Sequence, residues 1–478
     1  MQFVPSEFLA IDRKARANRP FIDVSLRQPG ERIHDFDDVV IAFDAERAMV
    51  EASRCIHCPD PAPCMIACPT NNDIPSAMWM IEQGRFLEAA AIYHETSSLP
   101  DICGRVCPHE QLCQGSCVEN HDHEPVLTGQ LEVFALEYEH ANQPYAIPLG
   151  EPTGKKVAII GAGPAGLSCA DILLQKGHQV TILDSKPAPG GLLTYGIPNF
   201  KLPKDVVFKH WQNFLNAGVK FIPNTYIGKD KTIDDLFLEG FDAVFIGIGT
   251  EIDAKMEIPG EDIPNVLEAT DFLIRGNVDL DLLPPDKRER PWIGKRVAVI
   301  GGGDTASDCL RTALRLGAEE VTCVYRRTER EMPGGKKDRH MAKDEGAKYR
   351  FLTQPVKFIA GQDGKLAALE CIEMVLGEPD AKGRRKPVPV EGTNFSIPVD
   401  VAIKALGYWP DASIGKTTSG LETHDWGLIT LVDNQTGKTS REGVFAGGDD
   451  VTGPDLVVTA MVAGRKAGWA IDDYLKSK

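Results

Sequence analysis

The sequence predicts an α/β protein in which a helical N-terminal domain precedes two βαβ-type domains, the second inserted into the first. Three observations predict it. From Val157 onward short apolar strands alternate with helical patterns, as VAIIG, GLSCADILLQKG and QVTIL, the rhythm of a parallel sheet. The same rhythm restarts at Arg296 with VAVIG, CLRTALRLG and EVTCVY. Ahead of both, residues 1–150 hold a dense set of cysteines, and the apolar positions of IPSAMWMIEQGRFLEAAAIYHE (74–95) recur at helical spacing.

At 478 residues the chain is too long for one core, and a length-based expectation is about three domains of roughly 150 residues. The proline- and glycine-rich stretch ANQPYAIPLGEPTGKK (141–156) suits a linker after a helical domain over 1–150. The first nucleotide domain is expected over 151–290, the second over 291–404, and the remainder of the first over 405–478. With 42% hydrophobic and 25% charged residues the chain has a globular composition, and no apolar run approaches the ~20 residues of a membrane span. A net charge of -17 repels a phosphate backbone and argues against nucleic-acid binding. The opening MQFVPSEFLAIDRKARANRP lacks the basic-then-apolar order of a secretory signal. The expected compartment is therefore cytoplasmic, where clustered thiols point to metal or redox chemistry rather than to disulfides.

The first βαβ unit reads KKVAIIGAGPAGLSCADILLQKGHQVTILDS. Gly161, Gly163 and Gly166, with Ala162, Pro164 and Ala165 between them, follow a buried strand and open a helix. Backbone amides and the positive helix end can then face a pyrophosphate. Asp184 ends the next strand, where a carboxylate accepts hydrogen bonds from unphosphorylated ribose hydroxyls. Strand, glycines, helix, strand and acid in that order mark a Rossmann-like dinucleotide site; the bland reading is a tight turn.

In the second unit, KRVAVIGGGDTASDCLRTALRLGAEEVTCVYRRTERE, Gly301, Gly303 and Ala306 take the glycine positions around Asp304. Its second strand ends in Arg326 and Arg327 instead of an acid, and guanidinium groups suit a 2′-phosphate. That implies NADP rather than NAD, against the competing reading of a solvated mixed-charge loop. With one unit shaped for the 2′-phosphate and one not, FAD is expected in the first and NADPH in the second. EGVFAGGDDVTGPDLVVTAMVAGRKAG adds a strand ending in Gly448 and Asp449, then a helix whose start can face the flavin's ribityl and phosphate groups. The alternative there is an ordinary strand-turn-helix.

Eight of the 12 cysteines fall in two runs, C-x2-C-x5-C-x3-C-P from Cys55 and C-x3-C-x5-C-x3-C from Cys103. Zinc favours paired C-x2-C hooks, and the second run has none. The terminal C-x3-C-P is like the bacterial ferredoxin run. Two four-iron, four-sulfur (4Fe-4S) clusters are the favoured occupants, with zinc competing. Flavin beside clusters is chemically coherent, because a flavin takes two electrons as hydride and releases them singly. Disulfide exchange would need a cysteine pair beside the flavin, whereas Cys169, Cys309, Cys323 and Cys371 are isolated and read as buried apolar residues.

CGRVCPHEQLCQGSC, GAGPAGLSCA, GGLLTYGIPNFKLPK, GGGDTASDCLRTALRLGA, VYRRTEREMPG and VFAGGDD together resemble the small (beta) subunit family of NADPH-dependent glutamate synthase. The chain is also similar to the N-terminal half of dihydropyrimidine dehydrogenase and to the large subunit of the electron-bifurcating, NADH-dependent ferredoxin:NADP oxidoreductase. The resemblance implies that the cysteine runs interleave. Cys55, Cys58, Cys64 and Cys117 would hold one cluster, and Cys68, Cys107 and Cys113 the other, completed by an oxygen donor at Glu132. Cys103 is left without a metal. Five residues separate Cys58 from Cys64, where the family commonly has four. The resemblance further implies Gly191, Leu192 and Lys201 along the flavin, with Lys201 stabilising negative charge on the reduced ring, and Thr305, Ala405, Leu406 and Gly407 beside NADPH.

The expected activity is electron transfer between NADPH, FAD, two clusters and a partner. The chain opens Met1-Gln2, with no cysteine placed as an N-terminal nucleophile, so glutamine hydrolysis and a second flavin site would fall to a large, glutamate synthase alpha-type subunit. The alternative partner is a small ferredoxin reductase-like subunit.

Overall fold

The computed structural model describes residues 11–379 and 383–478. The Met1-Gln2 start and the first half of the opening stretch read above lie outside the described residues. The main helices of the N-terminal domain are Ala45–Ala52, Ile74–Glu82, Phe86–Thr96, Pro100–Val106 and Thr128–Asn142. Asp44 and Asp73 accept the amide hydrogens of Arg47 and Ser76 at the first two helix starts, satisfying donors that a helix leaves unpaired. Alanines at 48, 77, 89 and 135 interlock with Met78, Ile81 and Leu131 in a buried core, and these small side chains let the helices approach closely.

The flavin-type domain is built on a seven-stranded sheet in which Lys156–Ile160 lies between Gln179–Leu183 and Ala243–Ile246, all parallel. The second domain carries a five-stranded parallel sheet with Arg296–Ile300 between Glu320–Val324 and Val401–Lys404. Each glycine-bearing strand thus sits where strand order reverses, the point at which open α/β sheets bind ligands. The second domain also carries an antiparallel sheet of Thr353–Ala360, Leu366–Pro379, Arg385–Pro389 and Phe395–Pro398.

The chain crosses between the two domains on an antiparallel pair, Thr250–Asp253 with Tyr408–Pro410. This corrects the expected boundary at 290/291. Val266–Glu268 pairs with Val401–Lys404 inside the second sheet, so that domain begins after Asp253. A three-residue edge strand gives no apolar run to read, whereas RVAVIG does.

The helices Pro164–Gln175 and Val457–Lys476 pack backbone to backbone. A Cβ on Gly464 would stand 2.0 Å from the Ala165 carbonyl oxygen, and one on Gly468 would stand 2.8 Å from Ile172 Cβ. The cluster-type domain docks on the same pair. Ser98 donates to Asp171 at 2.5 Å, and Arg465 donates to Ser98 at 2.8 Å. Among the described residues no helix is long and apolar enough to cross a membrane.

Candidate functional site

A cavity of about 480 Å³ opens at the switch point of the first sheet, within the size range of cofactor pockets. Gly161, Gly163, Pro164 and Ala165 line it from the glycine loop, Asp184 from the next strand, Gly191 and Leu192 from the GGLLTYG segment, and Gly448 and Asp449 from the C-terminal turn. Gly161 has φ +100°, and a Cβ there would stand 2.3 Å from the Gly247 carbonyl oxygen. Gly191, at φ +53°, comes so near Gly163 that a Cβ would stand 2.9 Å from its Cα. Ala162 and Gly166 act behind the wall. The Ala162 amide donates to Asp184 at 2.7 Å, and a Cβ on Gly166 would lie 1.9 Å from the Gly161 oxygen. Burial pushes the Asp184 carboxyl up to about 6 and that of Asp449 up to about 7. A glycine-floored cradle closed to a Cβ at Gly161, Gly166 and Gly191, with an acid at the ribose position, fits a dinucleotide without a 2′-phosphate.

Lys201 is not in this wall. Its Nζ lies 3.1 Å from Asp308 and 2.9 Å from Asp338, both in the second domain. The expectation that it faces the flavin ring is therefore corrected: the lysine pins GGLLTYGIPNFKLPK to the neighbouring domain. Burial opposes its charge, but Asp308 and Asp338 outweigh that and raise its pKa. Phe200, beside it, lies 4.4 Å and 4.0 Å from the Arg311 and Arg315 guanidinium carbons. Both arginines, together with Arg32 of the N-terminal domain, converge on buried Glu345. All three domains are latched here.

The second glycine loop lies at the switch point of the second sheet. Gly301 has φ +145°, and a Cβ would stand 2.1 Å from the Ala405 carbonyl oxygen, while the space beside Gly303 is open. Ala306 is buried behind it. Asp304 accepts the Gly335 amide at 2.8 Å, and Thr305 accepts from Tyr408 at 3.3 Å. Ala405 pairs with Ile300 through its amide, and Leu406 and Gly407 continue to the crossing strand. The two arginines differ. Arg327 is buried with Nε held by the Arg385 carbonyl at 2.8 Å, whereas Arg326 is exposed. Partial desolvation of its side chain and the adjacent Arg327 and Arg384 cations lower the Arg326 pKa. Crowded cations at the end of the second strand fit a dianionic 2′-phosphate, and Arg384 is a contributor that sequence spacing missed.

The eight clustered thiols divide between two small cavities of about 30 and 40 Å³. Cys55, Cys58, Cys64 and Cys117 line the first, and Cys68, Cys103, Cys107 and Cys113 line the second together with Glu132. Ile74 and Thr128 face both cavities. Each run gives three thiols to one cavity and one to the other, the interleaved grouping with Cys103 added. Burial pushes Cys55 and Cys113 up to about 12, so these thiols ionise only against a strong cation. The Glu132 carboxyl is raised well above the usual carboxylate range by burial and by Asp101. No hydrogen bond or ion pair reaches it from the described residues. Tyr93 Oη and His109 Nε2, in the same wall, are buried without partners among the described residues. Each such group costs about 1–3 kcal/mol if left unsatisfied. A polar, metal-bearing group filling the cavity would answer all three. Thiols ringing a space, rather than meeting at a point, fit a multi-atom cluster better than one tetrahedral ion.

The helix Val457–Lys476 joins the sites. Leu456, Val457 and Ala460 line the flavin-type cavity, and Val458 lines the second thiol cavity. Residues neighbouring in sequence face the two sites across a single turn.

Residues 155–464 match the pyridine nucleotide-disulphide oxidoreductase family, and residues 32–144 match dihydropyrimidine dehydrogenase domain II, 4Fe-4S cluster. The small chain of NADPH glutamate synthase from Escherichia coli (strain K12) is 40% identical over 95% of this chain and 98% of its own length. The chain belongs to the glutamate synthase small-chain family. It is thus an oxidoreductase with a pyridine-nucleotide half and a 4Fe-4S half. A second member of this group, the small chain from Azospirillum brasilense, is 37% identical over 96% of each chain. UacF of Escherichia coli, named as an oxidoreductase, is 44% identical over 91% of this chain but only 69% of its own length. Among solved structures, FprA of Mycobacterium tuberculosis aligns with a TM-score of 0.55 at 20% identity, over 68% of this chain and 85% of that one. Lactococcus lactis thioredoxin reductase aligns with a TM-score of 0.51 at 18% identity, over 68% and 100%. Both show the two-domain nucleotide fold.

Proposed function

We propose that this chain is the NADPH-linked electron-input subunit of a larger oxidoreductase. FAD occupies the 480 Å³ cavity, NADPH the second glycine loop, and a 4Fe-4S cluster each thiol cavity. Glu132 completes the second ligand set, because its half-buried carboxyl lines that cavity with no partner among the described residues. Bound there, FAD supplies the exchange between two-electron hydride chemistry and single-electron transfer, and the clusters supply one-electron stations.

The chain's own residues do the rest. Asp184 accepts from the ribose, and the glycine loops leave backbone amides bare for the pyrophosphates. Arg326 takes the 2′-phosphate while Arg385 holds Arg327 in place behind it. The Lys201 and Glu345 latches fix the two nucleotide domains relative to each other, and hydride transfer depends on that alignment. Val457 lines the flavin cavity and Val458 the second thiol cavity; this adjacency is the observation that carries the reading. The order of stations is then nicotinamide, flavin, second cavity, first cavity, partner.

The partner is a large, glutamate synthase alpha-type subunit that uses glutamine, as the near end-to-end match to the small chain supports, and the setting is cytoplasmic. Anaerobic isolation from the native host and identification of the copurifying protein test this. A large glutamine-using subunit is expected; a small ferredoxin reductase-like flavoprotein instead would overturn the partner assignment.

A further inference from the structure

The two thiol cavities differ in what surrounds the sulfurs. Around the second, Tyr93 is 2% exposed, its Oη has no acceptor among the described residues, and Glu132, Cys113 and Cys68 act on it, with Cys64 of the first cavity. His109, two residues after Cys107, presents a buried Nε2 that also has no partner among the described residues. Its ring cannot turn away, because it packs so closely on Gly129 that a Cβ there would stand 2.3 Å from it. Around the first cavity the corresponding orphan is an acceptor: Glu119 is 6% exposed and its Oε2 is unpartnered. The first cavity carries four thiols and Glu119, with the Arg16 guanidinium on the Cys55 carbonyl at 2.6 Å and the His57 ring 4.0 Å from the Cys55 sulfur. The second carries four thiols, Cys103 among them, and Glu132, with the Tyr93 hydroxyl and the His109 ring besides. Hydrogen bonds to sulfur favour adding an electron.

We infer that Tyr93 and His109 donate hydrogen bonds to the cluster in the second cavity and raise its reduction potential. The inference rests on the cluster assignment proposed above.

An EPR-monitored redox titration of anaerobic holoprotein tests it, with Cys107→Ala identifying which signal belongs to the second cavity. Tyr93→Phe removes only the hydroxyl and leaves the packing in place. It should shift the second-cavity midpoint to more negative potential, move the first-cavity one less and leave iron and sulfide content unchanged. His109→Leu should act in the same direction. An unmoved second-cavity midpoint in iron-replete Tyr93→Phe protein overturns the inference. Wild-type protein devoid of iron and sulfide is a distinct result, since it overturns the cluster assignment itself.

Discussion

Arg326 and Arg327 are adjacent yet held in different ways, and that difference can be measured. Arg327 spends its Nε on the Arg385 carbonyl, so Arg326 is the better placed to grip a phosphate. Charge-assisted hydrogen bonds contribute about 1.5–3 kcal/mol each, so Arg326→Ala should raise KM for NADPH by about 10–100-fold and leave KM for NADH nearly unchanged. Steady-state kinetics with both nucleotides decide it; equal losses would contradict the 2′-phosphate role. Asp184 supplies a pH test. Its carboxyl is raised to about 6 by burial, and ribose hydroxyls donate more strongly to the ionised form. FAD affinity should therefore fall as pH drops through about 6, by up to tenfold per unit, and Asp184→Asn should flatten that component. Fluorescence titration of apoprotein from pH 5 to 8 reads both proteins side by side. At this scale the local signals were legible, since the glycines, Asp184, Asp449 and the thiol runs are defined by sequence spacing. Tyr93, His109 and the Lys201 ion pairs were not, because each depends on which helix or domain lies opposite, and periodicity carries no such information.

The contact between Pro164–Gln175 and Val457–Lys476 shapes the floor of the flavin cavity. Both helices could be read from their apolar spacing, but the closeness of their approach could not. It rests on Gly464 and Gly468, which resemble any other helical glycine in sequence. Gly464→Ala places a methyl 2.0 Å from the Ala165 carbonyl oxygen, so the helices must part. Overpacking of this kind costs about 1–3 kcal/mol. Thermal unfolding should show the loss, and FAD content on purification should fall with it. Unchanged stability and flavin content would mean that the helix pair adapts freely. The misplaced domain boundary has a similar origin: Val266–Glu268 is a strand only because Val401–Lys404 pairs with it.

Across the whole molecule, three domains whose cores meet at Leu99 and Ile102 and at Val39, Phe200 and Met341 bring three cavities next to one another, with the Arg32, Arg311, Arg315 and Glu345 network and the Lys201 pairs holding the assembly together. The domain inventory was legible in the sequence. That adjacency emerges only where the C-terminal helix runs between flavin cavity and thiols. The account's central claim is that both thiol cavities hold inorganic clusters beside a flavin in one chain. The most direct measurement is the ratio of iron, acid-labile sulfide and FAD in anaerobically purified protein. The account predicts about eight iron and eight sulfide per FAD. Stoichiometric flavin accompanied by zinc, or by no sulfide, would contradict it.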